Sequence, residues 1–171
     1  MSMSGERSSA QIQLKWSRRG LIIAGLMVSA NAVAKPRMRP IQRVLFVCQF
    51  GTAKSAIARE IFRRRARERG LAVTAFSRGI TVEDHITPPL RQRLTADGID
   101  PAADTARVLS PRDWRHADIV VIFNALPPEI KPADLRDWTD TPSVTDDYAK
   151  ARAVLDSRID ALLDEIVQHR R

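Results

Sequence analysis

Cysteine is nearly absent from this chain. The single Cys48 excludes an internal disulfide framework and any multi-cysteine zinc site. Histidine is scarce too: His85, His116 and His169 show no ligand spacing, so neither a metal nor another cofactor is expected. Aromatic residues make up 5% of the chain, which leaves few stacking platforms for single-stranded nucleic acid, and no nucleic-acid-binding motif is present. No apolar run is long enough to span a bilayer, which takes about 20 residues. Repeats and low-complexity segments are also missing. What remains is ordinary for a globular domain: 171 residues, 44% apolar, 28% charged, with a net charge of +8 that suits an anionic partner.

Residues 1–34 read as a separate object. A basic stretch, Lys15-Trp16-Ser17-Arg18-Arg19, precedes the uncharged run 20–34, which ends in Ala32-Val33-Ala34. Basic, apolar and small-residue regions in that order form a signal-peptide pattern. Ser17-Arg18-Arg19-Gly20-Leu21-Ile22 also resembles a twin-arginine export signal. The alternatives are a mis-assigned start, with translation from Met38 giving a compact cytoplasmic protein, and an uncleaved or interfacial anchor. Without residues 1–34 the body carries +5. Residues 35–41 are a basic, proline-bounded linker, and 42–171 form the domain.

Within that domain strand and helix patterns alternate. Val44 to Cys48 is a continuous apolar run, as expected of a buried parallel strand. Gly51-Thr52 breaks it, and a helical pattern runs from Ser55 to Gly70. Leu71 to Phe76 reads as a second strand, and Pro88 opens a helix ending near Asp97-Gly98. Ser110-Pro111 starts another helix, Asp118 to Phe123 is a third strand, and a short fourth lies near Leu135–Trp138. Ser143 is the expected cap of the last helix, with Asp146 at the capping-box position. The pattern predicts an α/β fold with a mostly parallel sheet. The arginine-rich stretch Arg59–Arg69 reads as a solvated helix face.

In such sheets ligands bind outside the carboxyl ends of the strands. Cys48 stands at one of these ends. The connection Gln49-Phe50-Gly51-Thr52-Ala53-Lys54-Ser55 leads into a helix, so its amides and the helix dipole can converge on an anion. The same field favours a thiolate over a thiol. Lys54 would neutralise the oxyanion, and Ser55 would hydrogen-bond the sulfur.

These residues resemble the low-molecular-weight protein tyrosine phosphatase family, which includes one class of arsenate reductases. The likeness lies in Val44-Leu45-Phe46-Val47-Cys48, five residues, then a basic residue and Ser55. It continues through Ser77-Arg78-Gly79, Gly98-Ile99-Asp100, Ala106-Arg107 and Ala117 to Val120, to a loop at Trp138–Pro142. The resemblance implies a three-layer, Rossmann-like sandwich around a four-stranded sheet. It also implies a cysteine that attacks phosphorus to form a phosphocysteine, which water hydrolyses, with an aspartate as the proton donor.

Three departures stand out. Lys54 replaces the family's arginine, and a point charge cannot hold two equatorial oxygens as a guanidinium fork does. Gly51 replaces a common asparagine. The family's acid loop reads Asp-Pro, whereas here Thr141 precedes Pro142 and Asp140 lies one residue early. Asp140 is the first candidate for the acid, ahead of Asp137, Asp146 and Asp147. The expected partners are a phosphorylated small molecule, a phosphotyrosine protein or an inorganic oxyanion, bound by a monomer. Three activities stay open: a phosphatase weakened by Lys54 and the shifted acid, a non-catalytic oxyanion-binding module, and an arsenate reductase that borrows an external thiol.

Overall fold

The computed structural model describes residues 42–169. The expectations for the extension 1–34 and the linker 35–41 fall outside the described residues.

The core is a parallel sheet. Its strands are β1 (Gln42–Cys48), β2 (Val73–Gly79), β3 (Ile119–Ile122) and β4 (Leu135–Asp137), in the spatial order β2-β1-β3-β4. Every pairing is parallel, so the expected sheet is present without an antiparallel member. Val44 to Val47 have no exposed surface, as the unbroken apolar run requires of a strand covered on both faces. Their side chains alternate. Val44, Phe46 and Cys48 face a core shared with α1 (Lys54–Glu68), α2 (Pro88–Ala96) and α4 (Tyr148–Gln168). Leu45 and Val47 face a smaller cluster closed by α3 (Pro111–His116) through Trp114 and by Leu126. Each such buried aliphatic side chain contributes about 1.5–3 kcal/mol of transfer free energy.

Three details differ from the sequence reading. β2 extends through Ser77, Arg78 and Gly79, beyond the expected end at Phe76. Ser77 tucks inward while Arg78 leans toward the other face, an alternation that a search for apolar runs does not see. Asp147, not Ser143, caps α4 by accepting the Lys150 N–H at 3.0 Å. The Ser143 hydroxyl is occupied one turn earlier, where it accepts from the Thr145 and Asp146 N–H groups. Finally, the arginine run of α1 is not a solvated face. Arg59 is 1% exposed, Arg63 donates to the Ala75 carbonyl, Arg64 to those of Asp97 and Gly98, and Arg65 and Arg69 pair with Asp156, Asp160 and Asp164 of α4. Their stems cross apolar surface and their heads reach carbonyls and carboxylates on neighbouring elements, which binary patterning scores as surface.

Candidate active site

The sheet order reverses direction between β1 and β3, and the crevice at such a switch point is where α/β sheets bind ligands. Cys48 ends β1 there, and Asn124 lies just past β3. Residues 49–53 form bends rather than helix, and α1 begins at Lys54. Gly51 adopts φ +72°, which a side chain strains to reach. A Cβ on Gly51 would stand 2.8 Å from the Gly79 nitrogen, and a Cβ on Gly79 would stand 2.0 Å from the Thr81 carbonyl oxygen. The two glycines let the loop lie directly against the end of β2. The Asn-to-Gly departure therefore fits the backbone.

The loop folds back over the sulfur. The Gly51 N–H donates to Cys48 Sγ at 3.2 Å, and Ser55 Oγ lies 3.0 Å from the same atom. Cross-links hold the loop in this shape. The Gln49 N–H donates to Asn124 Oδ1 at 3.0 Å, Thr81 N–H to the Gln49 carbonyl at 2.8 Å, and Thr52 Oγ1 to the Glu83 carbonyl at 2.7 Å. The N–H groups of Phe50, Thr52, Ala53, Lys54 and Ser55 donate to no acceptor among the described residues. Five free amides at the positive end of a 15-residue helix are suited to an anion.

A cavity of about 300 Å3 opens over the sulfur, with Cys48, Gln49, Phe50, Ala53 and Lys54 forming its floor. Thr52 turns its hydroxyl away toward Glu83. The ammonium of Lys54 donates to the Thr141 carbonyl at 2.7 Å. Burial pushes the pKa of Lys54 down, against the attraction of Cys48 that pulls it up.

The carboxylates stand elsewhere. Asp140 is 71% exposed, lies outside the cavity lining and pairs with Arg158 at 2.6 Å. The hydrogen bond from Arg158 holds its pKa below the usual carboxylate range. Arg158 also donates to Thr141 Oγ1 at 3.1 Å and stacks its guanidinium over Trp138, 5.8 Å from the ring centroid. It thereby fixes the whole 138–141 turn against α4. Asp137 accepts the Thr139 N–H, Asp147 caps α4, and Asp146 is likewise absent from the lining. The structure brings Cys48 and residues 49–55 together and brings none of the four acid candidates to the cavity wall.

The rest of the wall was not assigned to the site from the sequence. His85 stacks on Phe50 with ring centroids 3.7 Å apart and sits 3.0 Å from Glu83 Oε2. Thr87, Asn124, Ser143, Val144 and Thr145 complete the wall. Only Asn124 carried a usable signal, its place directly after a strand at the switch point.

A sulfur capped by its own loop, beneath converging amides at a parallel strand's carboxyl end, defines a phosphate-loop cysteine protein. The low molecular weight phosphotyrosine protein phosphatase family matches residues 43–170, and the chain belongs to it. Solved structures of the same fold include YfkJ from Bacillus subtilis, 21% identical, with a TM-score of 0.67 over 78% of this chain and 99% of that one. A low molecular weight protein tyrosine phosphatase from T. tengcongensis is 22% identical, with a TM-score of 0.60 over 72% and 99%. A thioredoxin-dependent arsenate reductase from Corynebacterium glutamicum is 22% identical, with a TM-score of 0.62 over 77% of this chain and 65% of that one. No curated protein matches the chain. The family's chemistry is cysteine-based, on phosphate esters or on arsenate.

Proposed function

We propose that the protein is a cysteine-dependent phosphatase that hydrolyses phosphate monoesters through a phosphocysteine. The observation that carries this reading is the sulfur of Cys48, held by the Gly51 N–H and Ser55 Oγ below five unengaged loop amides. The thiolate attacks phosphorus, an S–P bond forms, and the bond from phosphorus to the leaving oxygen breaks. Water then attacks the phosphocysteine, releasing phosphate and regenerating the thiolate. The amides and Lys54 stabilise charge on the transferring oxygens. Among the described residues no carboxyl lines the cavity, so the leaving oxygen takes its proton from solvent and turnover favours esters with acidic leaving groups. Phosphotyrosine and small aryl phosphates fit that requirement.

The test is release of p-nitrophenol from p-nitrophenyl phosphate. Cys48→Ser is expected to abolish it, and equal rates in the two proteins would overturn the proposal. The second reading, an oxyanion-binding module with little turnover, is favoured by the Asp140–Arg158 pair, which keeps that carboxylate out of the cavity. Stabilisation of the chain by vanadate without nitrophenol release from wild type would select it. Arsenate reduction would need an external thiol, because the chain has no second cysteine. Arsenite formation in the presence of glutathione is its readout.

A further inference from the structure

On the face of the sheet away from α1 and α4 lies a second, larger opening of about 750 Å3. Arg43, Arg78, Arg107 and Arg112 line it, with Asp113 as its one carboxylate. That carboxylate is already engaged, because Asp113 accepts from Arg78 Nε at 2.9 Å and from Ser110. Arg43 donates to the His116 carbonyl at 3.3 Å. Arg107 and Arg112 are exposed, and their guanidinium groups have no partner among the described residues. The opening therefore carries positive charge that the described residues do not neutralise.

Its rim is also a strand edge. Residues 107–109 bridge the outer side of β2: the Gly79 N–H donates to the Arg107 carbonyl at 3.0 Å, and the Leu109 N–H to the Gly79 carbonyl at 2.8 Å. That bridge leaves the N–H and C=O of Val108 turned away from the sheet, bonded to no described residue. The Val108 side chain is 57% exposed. One open main-chain donor, one open acceptor, an exposed aliphatic group and two free guanidinium forks occur within six residues of sequence.

We propose that this cleft docks an extended, acidic peptide segment of a protein partner. Its main chain pairs with Val108, and its carboxylates are taken bidentately by Arg107 and Arg112. A nucleic-acid strand fits less well. The half-buried Phe76 is already covered by the Arg78 guanidinium at 5.2 Å, and Trp114 by Arg115 at 5.0 Å, so no open ring offers a base a stacking face. The cleft is close to the cysteine loop. Gly79 is the register partner of both Cys48 and Val108, so Val108 lies two strand spacings, about 10 Å, from Cys48. Acidic residues flanking a phosphorylated side chain would reach it. The docking itself does not depend on the proposed reaction.

The experiment is fluorescence anisotropy of a labelled octapeptide of alternating Glu and Ala, titrated with the full chain. The Arg107→Glu/Arg112→Glu variant is expected to bind at least about tenfold more weakly, equivalent to about 1.4 kcal/mol. Arg107→Gln/Arg112→Gln should fall between them, and binding by wild type should weaken with added salt. Cys48→Ser should bind the peptide like wild type. The charge-reversed variant should release p-nitrophenol at the wild-type rate, so failure of docking and failure of the proposed reaction are separately visible. Equal peptide affinity in wild type and the charge-reversed variant would overturn the proposal, as would no measurable binding. A single-stranded oligonucleotide that outcompetes the peptide would overturn it in favour of a nucleic-acid surface. Complete displacement by inorganic phosphate at comparable concentration would reduce the cleft to an oxyanion site.

Discussion

The resemblance to the family places Lys54 where a guanidinium would hold two equatorial phosphoryl oxygens. Its single ammonium is instead drawn to the Thr141 carbonyl at 2.7 Å, so part of its hydrogen-bonding capacity serves the 138–141 turn rather than a ligand. Lys54→Arg restores the fork and is expected to raise p-nitrophenyl phosphate turnover about tenfold or more, since a well-placed transition-state donor is worth up to roughly 10²–10³ in rate. The pH profile gives a second readout. Burial lowers the pKa of Lys54, so its charge and the wild-type rate are lost at a lower alkaline pH than in the arginine variant, whose guanidinium stays charged. A clear fall in turnover would mean that the lysine is fitted to a different ligand. The placement of Cys48, Gly51 and Ser55 was legible because it is local: their contacts fall within the eight residues from Cys48 to Ser55, whose breaks show in the chain. Asp140 was not legible. Arg158 controls its position from a helix 18 residues later, and nothing near Asp140 announces that contact.

Among the elements, α3 shows most directly how a short signal becomes a structural fact. Ser110-Pro111 predicts its start, and the helix occupies Pro111–His116. The Asp113 carboxylate accepts from the Ser110 N–H at 2.9 Å and from its hydroxyl at 2.6 Å, and also pairs with Arg78 on β2. Burial alone would raise the Asp113 pKa, but the bonds from Ser110 and Arg78 outweigh it and hold it below the usual carboxylate range. A carboxyl that is more acidic folded than unfolded contributes stability that is present above its unfolded pKa and lost as pH falls through the folded one. Asp113→Asn should therefore destabilise the protein by about 1 kcal/mol at neutral pH, the usual worth of a capping interaction. The gap between the two proteins in denaturant titrations should close as the pH falls through the lowered folded pKa of Asp113. A constant gap across that range would show that the carboxylate's charge is not what matters. The same cap lies beside the basic cleft, so the variant is not interchangeable with the arginine changes there. Element existence was legible from apolar runs and caps. The far end of β2 and the start of α4 were not, because their outcome depends on which of several adjacent polar groups finds a partner across the fold.

At the scale of the whole domain, the helical layer is joined to the sheet by arginines as well as by oil. Arg59 is the clearest case. It is 1% exposed, donates through Nη1 to Ser77 Oγ at 2.8 Å and through Nη2 to the Pro101 carbonyl at 3.0 Å, and pairs with Glu60 at 2.8 Å. One side chain thus ties α1 to β2 and to the 3-10 turn Pro101–Ala103. Removing a fully partnered buried charge leaves its partners unsatisfied and opens a void, which typically costs about 3–5 kcal/mol. For a domain of this size that corresponds to a fall in Tm of roughly 10–20 °C. Arg59→Ala should show that loss in a thermal scan. Arg67→Ala, on the exposed side of the same helix and without a side-chain partner among the described residues, should move Tm by no more than about 2 °C. Equal, small shifts in the two variants would mean that solvent replaces the Arg59 contacts at little cost and that apolar packing alone holds α1 in place. A large loss confined to Arg59 would show that an ionic joint, one helical turn from where the cysteine loop enters α1, holds that helix to the sheet.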